Sequence, residues 1–479
     1  MKLKKIYLSL LFFLLILFIG GCCKDCLNQM DKKVNYPTQT RSGVSYLDDK
    51  EDLSRVAWWS KLHDPQLNQL IMSALASNNQ IKSANATIKQ AQAQLKSAQY
   101  AWIPTLDGSV NGFSGTTWHT HINPTGPLAN SALFSNISNL RFHGYYSGFV
   151  PRYSVNILNN INTVKAAKAS LAIEQAQAQA TKLGIISQMS GSYFMILSQK
   201  EQLKLEKTLV KDLKALWKLE QVRHKSGMSD IETVTSVEQD IAQEETKVPQ
   251  IEKVVMQTEN TIHLLLNQNP GPIATDNTLL ALNMNHLIPQ NLPSSVLKNR
   301  PDVIIALNNV KSAYAKVGVS YSAFFPTISL TGLFGHSSVD LTNLLKLSTN
   351  LWVDQATATT KLLNASAYQD IKAAKAGFSA LYYEYIQTLR SAFADVDNNL
   401  TNERKNRVSY LQAYKAYAAA KRSYSIALTQ YKAGAKDYRS VVNAKINLDR
   451  NRLTLVQEKA QLLDSIVQVY NAVAGGYDV

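Results

Sequence analysis

Cysteine is confined to the start of the chain: Cys22, Cys23 and Cys26 are the three it contains. Nothing after residue 26 can form a disulfide or a thiolate metal site, which excludes a cystine-stapled scaffold. Cys23-Lys24-Asp25-Cys26 has redox or zinc spacing, but a lone pair lacks the four ligands of a structural zinc site. Long apolar runs are as scarce. Ile6 to Ile19 falls short of the roughly 20 residues that span a bilayer, and no other stretch is long and apolar enough for a transmembrane helix. The remainder is therefore soluble or built from strands. Phosphate loops, zinc signatures and nucleophile elbows are missing, and the eight histidines show no spacing that assembles nucleophile, base and orienter. The chain reads as no enzyme, with no cofactor and no metal. His119 and His121 sit in a polar loop with no carboxylate nearby and are assigned no site.

What is present is a strong positive charge, +15 with a pI near 9.4. A nucleic-acid partner does not follow, because the basic residues are dispersed among acidic ones, with no basic-aromatic run and no recognition motif. Lys2, Lys4 and Lys5, the apolar run and Gly20-Gly21 have the order of an export signal over residues 1–21. Ile19-Gly20-Gly21-Cys22 resembles the lipobox of bacterial lipoproteins, which implies cleavage before Cys22 and lipid attachment there. Position 23 is not Asp, the residue that commonly retains such lipoproteins at the inner membrane, so the outer membrane is favoured. Residues 22–64 read as an anchored linker.

The rest is written twice. The stretch from Ala93 to Leu106 aligns with Ala315 to Ile328 at a shift of 222 without a gap, and Lys225-Ser-Gly227-Met-Ser-Asp230 matches Lys432-Ala-Gly434-Ala-Lys-Asp437. Repeats over 65–290 and 291–479 follow. Each begins with an Ala-, Gln- and Lys-rich helix, about 65–101 and 294–323, that stops before Pro104 or Pro326. Alternation then predicts strand hairpins over about 104–157 and 326–356, of a length that suits tilted membrane strands. Long helical hairpins follow over about 162–267 and 365–473, turning at Gly227 and Gly434, with an interruption expected at Pro249. Their long arms approach roughly 100 Å at 1.5 Å per residue, which implies coiled-coil-like packing. Asp230 and Asp437 stand at the starts of the returning helices, where negative charge is favoured.

Four strands close no barrel, and a sheet edge facing lipid leaves backbone groups unpaired at several kcal/mol each, so a spanning chain must oligomerise. Three copies give twelve strands.

Trp58-Trp59, Asp64-Pro65-Gln-Leu67, Leu292-Pro293, Arg300-Pro301-Asp302, Phe324-Phe325-Pro326-Thr327-Ile328 and the closing Tyr470-Asn471…Gly475-Gly476 stand in the order found in one family. With the two glycine turns they make the chain resemble the TolC and OprM outer-membrane factors, in particular the lipoprotein branch served by resistance-nodulation-division pumps. The resemblance implies a mainly α fold with a small membrane β part: a homotrimer with a 12-stranded β-barrel and a long periplasmic α-barrel. It implies an exit duct of a tripartite efflux pump, partnered by a periplasmic adaptor and an inner-membrane pump, with outer-membrane lipid around it. The adaptor-docking tips would be Lys225, Gly227 and Asp230 with Lys432, Gly434 and Asp437.

The chain also departs from the family pattern. Where members place acidic residues beyond the second tip to constrict the duct, it has Tyr438, Arg439, Ser440 and Asn443; Arg439 would face anions or pair with Asp437. The glycine usual at the strand-to-helix junction is replaced by Leu158-Asn159-Asn160 and Leu363-Asn364-Ala365. A type I secretion duct, and a periplasmic coiled-coil lipoprotein that does not span, remain as alternatives. The paired strand hairpins separate the latter from a duct.

Overall fold

The computed structural model describes residues 46–47, 56–116, 141–284, 287–288, 292–293, 299–346, 350–361 and 363–477. Cys22, the leader and the loop carrying His119 and His121 lie outside the described residues. In chain order the elements are β1 (Tyr46–Leu47), a 3-10 turn (Trp58–Leu62), α1 (Pro65–Ser77), α2 (Asn79–Tyr100), β2 (Thr105–Thr116), β3 (Arg141–Val155), α3 (Ile157–Lys225), α4 (Ile231–Leu265), β4 (Leu292–Pro293), α5 (Pro301–Tyr321), β5 (Thr327–Ser338), β6 (Asn350–Thr359), α6 (Ala365–Lys432) and α7 (Tyr438–Ala472). The duplication is carried through. β2 and β5 start and end 222 positions apart, α3 and α6 hold 69 and 68 residues, and α4 and α7 hold 35 each.

Local chemistry alters three expectations. The first helix is two: Asn78 takes an extended conformation (ψ 131°) and its side chain accepts from the backbone N–H of Gln80 and Ile81, capping α2. The first long helix starts at Ile157, because Asn156 accepts from Asn159 N (3.1 Å) while its amide donates to the carbonyls of Ser322 and Phe325. Side-chain capping thus replaces the missing glycine, and Asn364 does the same for α6 through Ala367 N. Pro249 does not interrupt α4. It deprives the Glu245 carbonyl of its donor, an effect worth about 3 kcal/mol in an isolated helix, but α4 is held against α3 on both sides of it. Lys214 pairs with Glu245 at 2.6 Å and Lys207 with Glu252 at 2.8 Å.

The chain divides into two compact units, each assembled from both repeats. One takes Leu75–Lys182 and Pro301–Tyr385 and holds the sheet β2-β3-β5-β6, antiparallel throughout. Its register sorts the side chains by face. Leu106, Val110, Phe149, Leu330, Phe334 and Trp352 share one face and are exposed there, with Asp354 of β6 the charged residue beside them. The other face carries Asp107, Ser109, Asn111, Arg152, Ser329, Thr331, Gln355 and Thr357, with Arg152 paired to Asp107 at 3.5 Å. An apolar face offered to the surroundings and a polar one opposite is the pattern of a membrane barrel wall, not of a sheet on a soluble core. Gly148 and Gly335 oppose one another so closely that a Cβ on Gly148 would stand 2.3 Å from the Phe334 carbonyl oxygen. The Tyr146 hydroxyl lies beside this gap and donates to the Phe149 carbonyl.

The other unit takes the segment up to Ala74 with Leu183–Arg300 and Ile386 onward, and it holds the helical hairpins. Its hub gathers the sequence signatures. Trp58 stacks on Tyr470 (centroids 4.8 Å, 9° apart) and meets Trp59 edge-on. Asp64 is buried, caps α1 by accepting from Gln66 N and Leu67 N, and accepts the Tyr193 hydroxyl at 2.8 Å. Burial and then this contact push the Tyr193 phenol far above its ordinary value. Arg300 donates to Asp395 (2.9 Å) and to the Ala472 carbonyl (2.6 Å), joining α6 to the end of α7. Lys459, buried, donates to the Leu280 and Leu282 carbonyls at 2.9 and 2.8 Å, and burial draws it down to about 8.

Gly476 closes this hub at φ +89°, and a Cβ there would stand 2.8 Å from Trp59 Cζ3. Gly476→Ala is expected to lower stability by about 1–3 kcal/mol, read as a lower thermal midpoint of the detergent-purified protein. Gly184→Ala, in open space within α3, should leave the midpoint unchanged or raise it.

Candidate functional site

The helical hairpins end in two turns built by the same device. At the first, Gly227 adopts φ +69°, its N–H bonds the His224 carbonyl (3.0 Å), and Met228 N bonds the Arg223 carbonyl (2.8 Å). At the second, Gly434 adopts φ +72°, with Gly434 N on Tyr431 O (2.9 Å) and Ala435 N on Gln430 O (2.8 Å). This pair of bonds ends a helix through a left-handed residue, a conformation that favours glycine. Asp230 then caps α4 by accepting from Thr233 N at 2.7 Å, and Asp437 caps α7 by accepting from Ser440 N at 3.1 Å and Ser440 Oγ at 2.7 Å.

These hydrogen bonds, from Thr233 and Ser440 respectively, are the main reason both carboxyls are held below their ordinary 3.8. Arg223 and Arg439 add to the effect on Asp437, and Arg439 on Asp230. The capping contribution is therefore full above 3.8 and is lost as pH falls through the lower folded values.

The two tips are tied together by crossed ion pairs. Glu220 of α3, with no exposed surface, receives Arg439 Nε of α7 at 2.8 Å. Arg223 of α3 reaches Asp437 at 3.4 Å, with its own Nε 3.7 Å from Glu220. Ser229 Oγ donates to the other Glu220 oxygen at 2.9 Å, closing the first turn onto the same carboxylate. The expected Arg439–Asp437 pair is therefore not formed: the capping geometry turns Asp437 toward Ser440 and Arg223, and the buried Glu220 is the stronger claim on a guanidinium.

Lys225, Gly227, Asp230, Lys432, Gly434 and Asp437 are all exposed at the turns. Of the four residues placed at a constriction, Arg439 is held by Glu220, Ser440 by Asp437, and Tyr438 lies against Tyr431 (centroids 5.4 Å), which leaves Asn443 exposed. Glu220 and Arg223 carry the linkage and went unrecognised in the sequence. Their partners stand more than 200 positions away, and the only hint was a carboxylate and a guanidinium three apart beside the turn. No cluster of metal-ligating side chains is present among the described residues.

Tandem repeats of a membrane-type strand hairpin and a long helical hairpin define the class of outer-membrane channel subunits. The chain belongs to the outer membrane efflux protein family, whose model matches residues 70–268 and 292–475. It is 27% identical over 435 residues to the solvent efflux pump outer membrane protein SrpC of Pseudomonas putida, covering 87% of this chain and 86% of that one. It is 25% identical over 433 residues to the cation efflux system protein CusC of Escherichia coli, covering 89% and 90%. The Campylobacter jejuni CmeC outer membrane channel shares the fold with a TM-score of 0.77, at 22% identity and 93% coverage of both chains.

Arg439→Ala leaves the buried Glu220 with only the longer Arg223 contact at 3.7 Å. Amide exchange in the segments around residues 220–232 and 436–446 should then quicken about tenfold, the loss of about 1.4 kcal/mol. Asp437→Asn keeps the cap and removes only an exposed pair, so the same exchange should change less than about threefold.

Proposed function

We propose that this chain is the exit duct of a tripartite efflux pump in the outer membrane of a Gram-negative bacterium. It passively conducts small molecules delivered by a periplasmic adaptor and an inner-membrane pump. The observation that carries this reading is the sheet, which exposes Leu106, Val110, Phe149, Leu330, Phe334 and Trp352 on one face and carries the Asp107–Arg152 pair on the other. A non-spanning scaffold has no use for that arrangement. No helix among the described residues is long and apolar enough to cross a membrane, which leaves the strands to do so.

Both outer edges of the sheet, β2 and β6, need partners in hydrocarbon, and a homotrimer supplies them as a 12-stranded barrel. Cys22 carries the lipid that anchors the chain beside it. The turns at Lys225–Asp230 and Lys432–Asp437 are the adaptor-docking tips. The crossed pairs Glu220–Arg439 and Arg223–Asp437 keep the hairpins together until the adaptor binds. The constriction formed by Tyr438, Arg439, Ser440 and Asn443 is therefore an interlocked collar, not an open ring of charge. The relatives named for solvent and for cation efflux are almost equally similar to the chain, which supports export of small solutes over protein secretion and leaves their choice to the inner-membrane pump.

Detergent-purified protein in a planar bilayer should give discrete conductance steps, and its native mass should be that of three copies. Arg439→Ala should raise the time spent open. A monomer that never inserts would refute the duct.

A further inference from the structure

We propose that Lys204, Lys211, Lys218 and Lys225 form a docking row for an acidic helix of the periplasmic adaptor, one that presents a carboxylate at every seventh residue. The inference rests on the exit-duct reading and adds the chemistry and register of the partner's surface.

Helix α3 carries two rows of lysine, each at seven-residue spacing. The first, Lys200, Lys207 and Lys214, is satisfied within the chain by Glu259, Glu252 and Glu245 of α4 at 3.2, 2.8 and 2.6 Å. Positions rise by seven on α3 as they fall by seven on α4. The chain thus shows how such a row is read: by an antiparallel helix with glutamate at the same interval, about 10.5 Å per repeat.

The second row lies four positions further along and is exposed at all four residues. None of its lysines reaches a carboxylate among the described residues. An open groove lined by Lys200, Leu203, Lys204, Lys207, Thr208 and Lys211 runs between the two rows. Four ammonium groups at that interval make a positive stripe with a fixed register, which favours a partner of opposite charge. At the tip end of the row, Val222, Met228 and Ile231 are 63%, 68% and 59% exposed, so the surface ends in an apolar foot. Together these fit an amphipathic acidic helix better than a flexible polyanion, which has no register to match.

A second copy of this chain does not supply that helix. Beyond Ile386 the carboxylates of α6 are Asp395, Asp397 and Glu403, no two of them seven residues apart, and Asp395 and Glu403 already hold Arg300 and Arg407. On α7, Asp449 is held by Lys445, and neither Glu458 nor Asp464 stands seven residues from another carboxylate. The acidic row of α4, Glu238, Glu245, Glu252 and Glu259, is engaged at its last three positions by Lys214, Lys207 and Lys200, which leaves one carboxylate and no repeat.

The test uses the full-length purified chain and a designed antiparallel helical hairpin with glutamate at every seventh surface position. One control hairpin carries glutamine at those positions, and another carries the same number of glutamates irregularly spaced. The regular acidic hairpin should bind about tenfold more tightly than either control at low salt, since each exposed pair is worth about two- to threefold, and the margin should shrink at high salt. The triple variant Lys204→Gln, Lys211→Gln, Lys218→Gln should lose the preference while keeping its conductance and native mass.

Equal binding of the regular and irregular acidic hairpins overturns the proposal, as does a preference that survives in the triple variant. A shift of ion selectivity in the triple variant, with hairpin binding unchanged, would put the row on the conduction path instead and also overturn docking. Failure of the exit-duct reading shows separately, as unmodified protein that neither inserts nor forms a trimer.

Discussion

A helix of 69 residues can shield an apolar stripe only against other helices of comparable length, and this requirement shapes the hairpin unit. The duplication meets it by supplying a second long helix of 68 residues and two returning helices of 35. Contact along such lengths needs register as well as burial. Charge provides it: α4 is pinned to α3 by three lysine–glutamate pairs at a common interval, and α7 to α3 by Arg452 on Glu201, Lys445 on Asp212 and Arg439 on Glu220. Once these helices are in register the turns fall side by side, and the crossed pairs at the tips become possible.

The sequence signatures near residues 58–67, 300 and 470–476 are architectural. Trp58, Asp64, Tyr193, Arg300 and Tyr470 interlock where the segment leading into α1, the long helix α3, the start of the second repeat and the end of the last helix meet. A family resemblance carried by such residues speaks to the fold, and says little about cargo. That accords with relatives named for cargoes as different as solvents and cations.

The repeat, the strand alternation and both glycine turns were legible in the sequence because each is a local pattern with a period or a required backbone conformation. The break at Asn78 was less legible, since a capping asparagine inside an alanine-rich stretch resembles an ordinary surface residue until its side chain is seen on Gln80 and Ile81. Pro249 misled for the opposite reason. A local rule against proline in helices was overridden by pairing on both sides of it. The partner of Arg439 was beyond reach, because no local rule chooses between Asp437 two residues away and Glu220 on another helix.

The sheet of each chain holds four strands whose directions alternate, so its two outer strands, β2 and β6, run in opposite directions. Setting β6 of one copy beside β2 of the next therefore continues the alternation without a fault, and it does so for any number of copies. Strand parity thus leaves the copy number free. In a ring built this way, contacts other than strand pairing would have to set the number of copies, and with it the bore.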